Sequence, residues 1–199
     1  MKNILKSKKG LSTVVTTLII LVVSVLLATV VTFYAINVTT NRTQQESLYM
    51  ANLHVWYNTT GTGWAEAAFA ITNTGGRDAV LQSITARSQP TAWANVYYNS
   101  SSTWTVNSLS PSILPLGKTA NTTNTNVATM AGTYGTTAVT SVILHQASNV
   151  ITLKSGWTLV VYIMHPDSVG QNDVGTPVAV TVFTANAQWT QEVNVQAAQ

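Results

Sequence analysis

Six carboxylates and three histidines hold nearly all of the chain's capacity for acid–base or metal chemistry: Glu46, Glu66, Asp78, Asp167, Asp173 and Glu192, with His54, His145 and His165. No two histidines stand four apart as on the helix of a zinc protease, and none falls in a recognisable ligand pattern. His54 and His145 lie in alternating runs, where a packed or solvent-facing imidazole is the default. His165 precedes Pro166 and Asp167 in a turn. The segment Asp167-Ser168-Val169-Gly170-Gln171-Asn172-Asp173 is rich in oxygen ligands, but its spacing is not that of an EF-hand, and a solvated turn is expected. Zero cysteine excludes thiolate metal sites, disulfides and a cysteine nucleophile. There is no phosphate-cradling glycine loop and no nucleophile elbow. No catalytic, metal-binding or cofactor-binding residue is assigned, and a non-enzymatic protein is expected.

Modification chemistry is better supplied. Sequons occur at Asn37, Asn41, Asn58, Asn99 and Asn121. With 16 asparagines among abundant serine and threonine, about four sequons arise by chance, so position must decide. Asn41, Asn58, Asn99 and Asn121 are the candidate acceptors; Asn37 sits too deep in the apolar segment.

Charge is unevenly placed. Four of the nine basic residues, Lys2, Lys6, Lys8 and Lys9, fall in the first nine positions. The rest of the chain has five basic and six acidic residues, a net of −1. From residue 50 onward Arg77, Arg87, Lys118 and Lys154 are dispersed among five acids, so no patch neutralises phosphates and nucleic acid is not a partner.

From Leu11 to Ile36 no charge occurs, and 16 of these 26 residues are Val, Leu, Ile or Phe. A helix of that length spans about 39 Å, more than the ~30 Å hydrocarbon core. Its apolar residues favour insertion by roughly 5 to 10 kcal/mol. Four lysines ahead and none close behind orient the N-terminus to the cytoplasm and the rest of the chain outward. The core is too long for an ordinary secretory signal, and no cleavage site follows it. Thr13, Thr17, Ser24, Ala28 and Thr32 recur at spacings of four, seven, four and four, which puts small residues on one broad stripe where backbones could approach closely. Because neither proline nor glycine intervenes, the helix is expected to run to residue 49 or so.

Lys8-Lys9-Gly10-Leu11, a basic leader ending in glycine just before a long apolar run, resembles the class III signal peptide of archaeal type IV pilins and archaellins. The resemblance implies that residues 1–10 are a leader removed after Gly10 by a prepilin peptidase on the cytoplasmic side. It also implies that residues 11–49 remain as a filament-core helix, lying in the cytoplasmic membrane until pilus assembly machinery extracts it. Val15 stands where bacterial type IV pilins carry a glutamate at the fifth mature position, and the bacterial C-terminal cysteine pair is missing. Leu11-Ser12-Thr13 also has less glycine than many archaellin starts, so the adhesion-pilus type matches best.

Beyond residue 50 the period changes. Leu53, Val55 and Tyr57 alternate with His54 and Trp56. Strands are expected at 65–72, 80–87, 93–98, 139–145, 158–165, 178–185 and 188–195, from their content of Val, Ile, Thr, Tyr and Trp. About eight short strands in 150 residues argue a β-sandwich. The predicted fold is α+β: a long hydrophobic helix, then an all-β, immunoglobulin-like sandwich head over residues 50–199. The turn Asn73-Thr74-Gly75 and the Gly156 to Pro166 run resemble the head of the same family. The stretch 99–137 is less regular, and Asn121 to Asn126 is expected as an outer loop. The six tryptophans are expected in the core or an interface.

These features lead to the expectation of a homopolymer: a pilin of an extracellular adhesive filament, with a hydroxyl-rich, weakly charged head packed against copies of itself. An archaellin of a motility filament needs the same parts. A membrane-anchored sandwich that binds a surface ligand without polymerising is the alternative of a different class.

Overall fold

The computed structural model describes residues 4–43, 45–59, 63–105, 127–134 and 137–198, with side chains over 12–41, 45–59, 63–105 and 143–198. The chain is α+β. It divides into two units, residues 1–44 and 45–199, of which the first is one helix and the second a two-sheet, sandwich-like head.

The helix, α1, is Ile4–Thr43. It passes through Gly10 and Leu11 without interruption. It ends earlier than the expected residue 49, because Leu48 already belongs to a strand. That strand, β1 (Leu48–Asn58), starts by pairing Leu48 with Asn73 of β2 (Trp64–Asn73). Leu48 is buried in the core, and this burial outweighs the helix-compatible sequence.

One sheet has seven strands in the order β12-β1-β2-β9-β5-β7-β6. Its further members are β5 (Val96–Ser101), β6 (Val127–Tyr134), β7 (Thr137–Gln146), β9 (Thr158–Met164) and β12 (Gln196–Ala198). The central strand β9 is an unbroken apolar run, Leu159 to Ile163, buried on both faces, as a middle strand covered from both sides should be. The other sheet is β11-β10-β3-β4, with β8 also pairing β3. These strands are β3 (Ala79–Ala86), β4 (Gln89–Pro90), β8 (Ile151–Leu153), β10 (Pro177–Thr184) and β11 (Gln188–Asn194). Here β10 alternates buried and half-buried residues, the signature of a sheet with one face on the core.

The main core lies between the sheets: Phe69, Ile71, Leu81, Ile84, Ile151, Leu159 and Val180 are essentially sealed from solvent. A smaller cluster, Trp56, Ala68, Ala70, Leu144, Val160 and Tyr162, occupies the other face of the seven-stranded sheet. Both faces can be served by β1 because it carries a bulge. Asn52 takes a positive φ of 56°, and the register shifts between Ala51 and His54. The extra residue reverses the parity of the strand. Leu48 and Met50 point to the main core before it, and Leu53, Val55 and Tyr57 after it.

Most expected strands are present within a residue or two. The segment Trp93–Asn95 is instead a 3-10 turn, and the strand begins at Val96. The strands β4, β6, β8 and β12 were not expected. The 121–126 stretch lies outside the described residues.

Candidate functional site

Helix α1 is where the chain departs most from a self-contained protein. Over Ser12–Asn41 its mean hydropathy is 2.9, it is long and apolar enough to cross a membrane, and none of it is buried. The large apolar side chains from Val14 to Val38 expose between 41% and 71% of their surface. A helix apolar all round belongs inside a protein core, a bilayer or a bundle.

Its polar side chains are arranged to suit that setting. Thr16 Oγ1 donates to Ser12 O at 2.9 Å, Thr17 Oγ1 to Val14 O at 2.9 Å and Ser24 Oγ to Ile20 O at 2.7 Å. Thr29 Oγ1 donates to Val25 O and Thr32 Oγ1 to Ala28 O, both at 2.8 Å. The Asn37 carboxamide reaches Phe33 O at 2.9 Å. Each donor is satisfied on its own helix, so the hydroxyls bring no unmet hydrogen bond into an apolar surrounding. Of the stripe, Thr17, Ser24 and Thr32 are back-bonded in this way, and Ala28 supplies one of the acceptors. Ala28 and Thr32 share one open face of the helix with Val25, Thr29, Phe33 and Ile36. Thr13 lies on the same stripe.

Lys8, Lys9, Gly10 and Leu11 fall within the helix, their side chains outside the described set. Among the sequons, Asn41 is an exposed residue of α1, and Asn58, half-buried, closes β1. Asn99 is committed to the sheet: its Nδ2 donates to Ile143 O at 2.8 Å, and its Oδ1 accepts from Ser100 N at 2.7 Å. Asn121 lies outside the described residues.

In the head, the junctional residues are held firmly. Asn73 is fully buried, and its carboxamide donates to Arg77 O (2.7 Å) and Leu153 O (3.1 Å) while accepting from Gly75 N (3.0 Å). Thr74 and Gly75 amides both reach Ser47 O, at 2.8 and 3.0 Å. A Cβ on Gly75 would fall 2.8 Å from both Gln45 O and Ser47 N, so only glycine lets the strands close here. Glu46 is held from the far side: Thr184 Oγ1 and Asn186 Nδ2 each donate to its carboxylate at 2.8 Å. Residues 45–47 are thus fastened both to the Asn73 turn and to the β10–β11 hairpin. The Asn-Thr-Gly turn was legible in sequence; the role of Glu46 was not, since nothing local marks an acid whose partners lie about 140 residues away.

The histidines and acids do not converge. Among the described residues no group of three or more His, Asp or Glu is placed to hold a metal. His54 stacks on Trp56 with rings parallel to 5° at 5.2 Å, and burial pushes its pKa below the usual histidine value. His165 sits at a chain reversal with φ of 51°. In the Asp167–Asp173 loop, the Asp173 carboxylate accepts from Gly170 N at 2.7 Å and pairs with Arg87 at 2.8 Å. The Gly170 amide and then Arg87 hold this carboxyl below the usual range. One of its oxygens thus holds the turn through Gly170, and the other ties the turn to Arg87. Glu66 is fully buried on β2. Trp56 and Trp64 are buried, and Trp93, Trp104, Trp157 and Trp189 partly so; Lys154 Nζ lies 4.9 Å from the Trp157 ring centre.

No protein-family model matches the chain, and no curated protein matches it in sequence.

Proposed function

We propose that the chain is a structural subunit of an extracellular filament, of the archaeal type IV adhesion-pilin kind. The observation that carries this reading is an apolar helix with no buried residue, joined in sequence to a head that completes its own core. Burying the exposed side chains of α1 among identical helices supplies the cohesion once the subunit has left the membrane, at about 25 cal/mol for each Å² of apolar surface that would otherwise face water. The back-bonded hydroxyls and small stripe residues let such helices meet without stranding a donor.

In this reading the precursor lies in the cytoplasmic membrane with its lysines inside. A prepilin peptidase cuts between Gly10 and Leu11, which requires local unwinding of the helix there, and assembly machinery then delivers the subunit to the polymer. The head, residues 45–199, forms the outer wall, with Asn41, Asn58, Asn99 and Asn121 as the candidate acceptors for sugar.

Mass spectrometry of the native protein tests the reading. An N-terminus at Leu11, found in sheared filaments, is the expected result. An intact Met1 or Lys2 terminus, with the protein confined to membranes, favours an anchored head that never polymerises. Loss of swimming alone on deletion assigns the filament to motility instead.

A further inference from the structure

Among the described residues, three of the four non-glycine positions with a positive φ flank one cleft: Arg87 (50°), Ser88 (65°) and His165 (51°). Backbone is held in this region only where its surroundings over-determine it, and such positions gather at surfaces shaped for use. The cleft, of about 110 Å³, lies between β4 with the 3-10 turn after it and the turn that follows β9. Whole small-molecule ligands occupy pockets of about 300 Å³ upward, so this one takes the tip of a side chain.

Its polar lining is Gln89, Thr91, Asn95, His165, Asp167 and Ser168. Ser168 is committed, its hydroxyl donating to Ala86 O at 2.8 Å. The other five side chains have no hydrogen-bond partner among the described residues. Asp167 is the one formal charge, and it is exposed. A carboxylate beside two carboxamide oxygens and a hydroxyl is an acceptor set for a planar guanidinium, against which an imidazole also stacks. No three acids or histidines meet among the described residues, so the set is not that of a metal site.

The head has one uncommitted cation among its described residues. Arg87 is engaged with Asp173 at 2.8 Å and Ser168 O at 3.3 Å, and Lys154 Nζ lies over the Trp157 ring. Arg77 is exposed in the turn between β2 and β3, and its side chain has no partner among the described residues. It cannot reach the cleft of its own chain. β3 begins two residues after Arg77 and ends at Ala86, beside the cleft. Its eight residues, at about 3.3 Å each, set the two about 26 Å apart, at opposite ends of the sandwich. Glu192 is also without a partner, but it stands exposed on β11 and outside the cleft.

We infer that the cleft receives Arg77 of a second copy, with Asp167 as its ionic partner, so that heads join end to end. The donor and the cleft are different surfaces, so the contact is heterologous: it leaves a free donor and a free cleft at every step and can propagate. This contact presupposes the filament reading and names the surfaces through which its heads meet.

The full chain carrying Arg77→Asp, Asp167→Arg or both replaces the wild type, and filaments recovered by shearing are quantified. Each single change sets like charges across the contact and should lower recovery about tenfold; the double change restores the pair in reverse and should return it toward wild type. The unfolding midpoint of the head should match wild type in all three, since neither side chain bonds within its own chain. Cross-linking with a short bis-maleimide is the second measurement. The chain has no cysteine, so Arg77→Cys combined with Asp167→Cys should link filament subunits into a ladder, and either change alone should not. Normal recovery in both single charge variants, losses that the double variant does not repair, or filaments without a ladder overturn the contact and leave the filament reading standing. A wild type that forms no filaments overturns both.

Discussion

The helix and the head handle apolar surface in opposite ways. In the head, Phe69, Ile71, Leu159 and Val180 are sealed between two sheets, and even the outer face of the larger sheet is closed over Tyr162 and Val160. In α1, residues of the same types are left open from Val14 to Val38. The head is therefore stabilised by contacts within itself, whereas the side chains of α1 are not buried at all, and in the proposed reading a bilayer or other copies must cover them. A mutation should injure one property or the other, seldom both.

The largest expected effect is in the head. Phe69→Ala leaves a cavity in the main core and should lower unfolding free energy by about 3–5 kcal/mol in denaturant titration, while the chain still fractionates with membranes. Loss of membrane retention in that variant would break the contrast. The reciprocal change, Val22→Arg, adds about 2.5–3.5 kcal/mol to insertion of α1 and, in the proposed filament, repeats the charge in every copy. Filaments should no longer be recovered, yet head unfolding should match wild type. Asn73→Ala strands the Arg77 and Leu153 carbonyls, one of them buried, and should cost about 1–3 kcal/mol of head stability. Gly75→Ala, which pushes against the backbone of Gln45 and Ser47, should show up as faster amide exchange at the start of β1.

The smallest effects are those of pH. Because burial lowers the pKa of His54 in the folded head, its unfolded form takes up the proton first as pH falls below 6.5. Head stability should then decline toward acid across the interval between 6.5 and the depressed folded value, and His54→Gln should flatten that limb. Asp173, also depressed, acts at lower pH: its contribution is intact above the ordinary carboxylate value of 3.8 and is lost as pH falls through the folded value. Asp173→Asn should remove that portion alone, with α1 unaffected by either change.

The two units were not equally readable. Apolar content located α1, since 16 large apolar residues in a charge-free run of 26 call for a helix of membrane-spanning length. It also located β2, β9 and β10, whose runs of Val, Ile, Ala and Phe are long. It did not show where α1 stops, because Leu48 becomes strand only through a partner 25 residues later. The even-to-odd change of phase across Asn52 is likewise invisible until β1 is paired with β2, although Leu53, Val55 and Tyr57 announce the later half. Short strands such as Ile151–Leu153 and Gln196–Ala198 have too few residues to show a period, and Val127–Tyr134 dilutes its pattern with Ala131 and Gly132.

The pairing of β12 with β1 has a consequence in time. Trp56, Tyr57 and Asn58 lie parallel to Gln196, Ala197 and Ala198, so the first strand of the head gains its second neighbour from residues some 140 positions later. Val195 bonds to Thr176 and Gly175 as the chain crosses from one sheet to the other. A chain emerging from a ribosome or a translocation channel cannot close this edge until residue 198 is free. Until then the outer edge of Trp56 to Asn58 would stay unpaired, and the seven-stranded sheet would be complete only when this segment arrived.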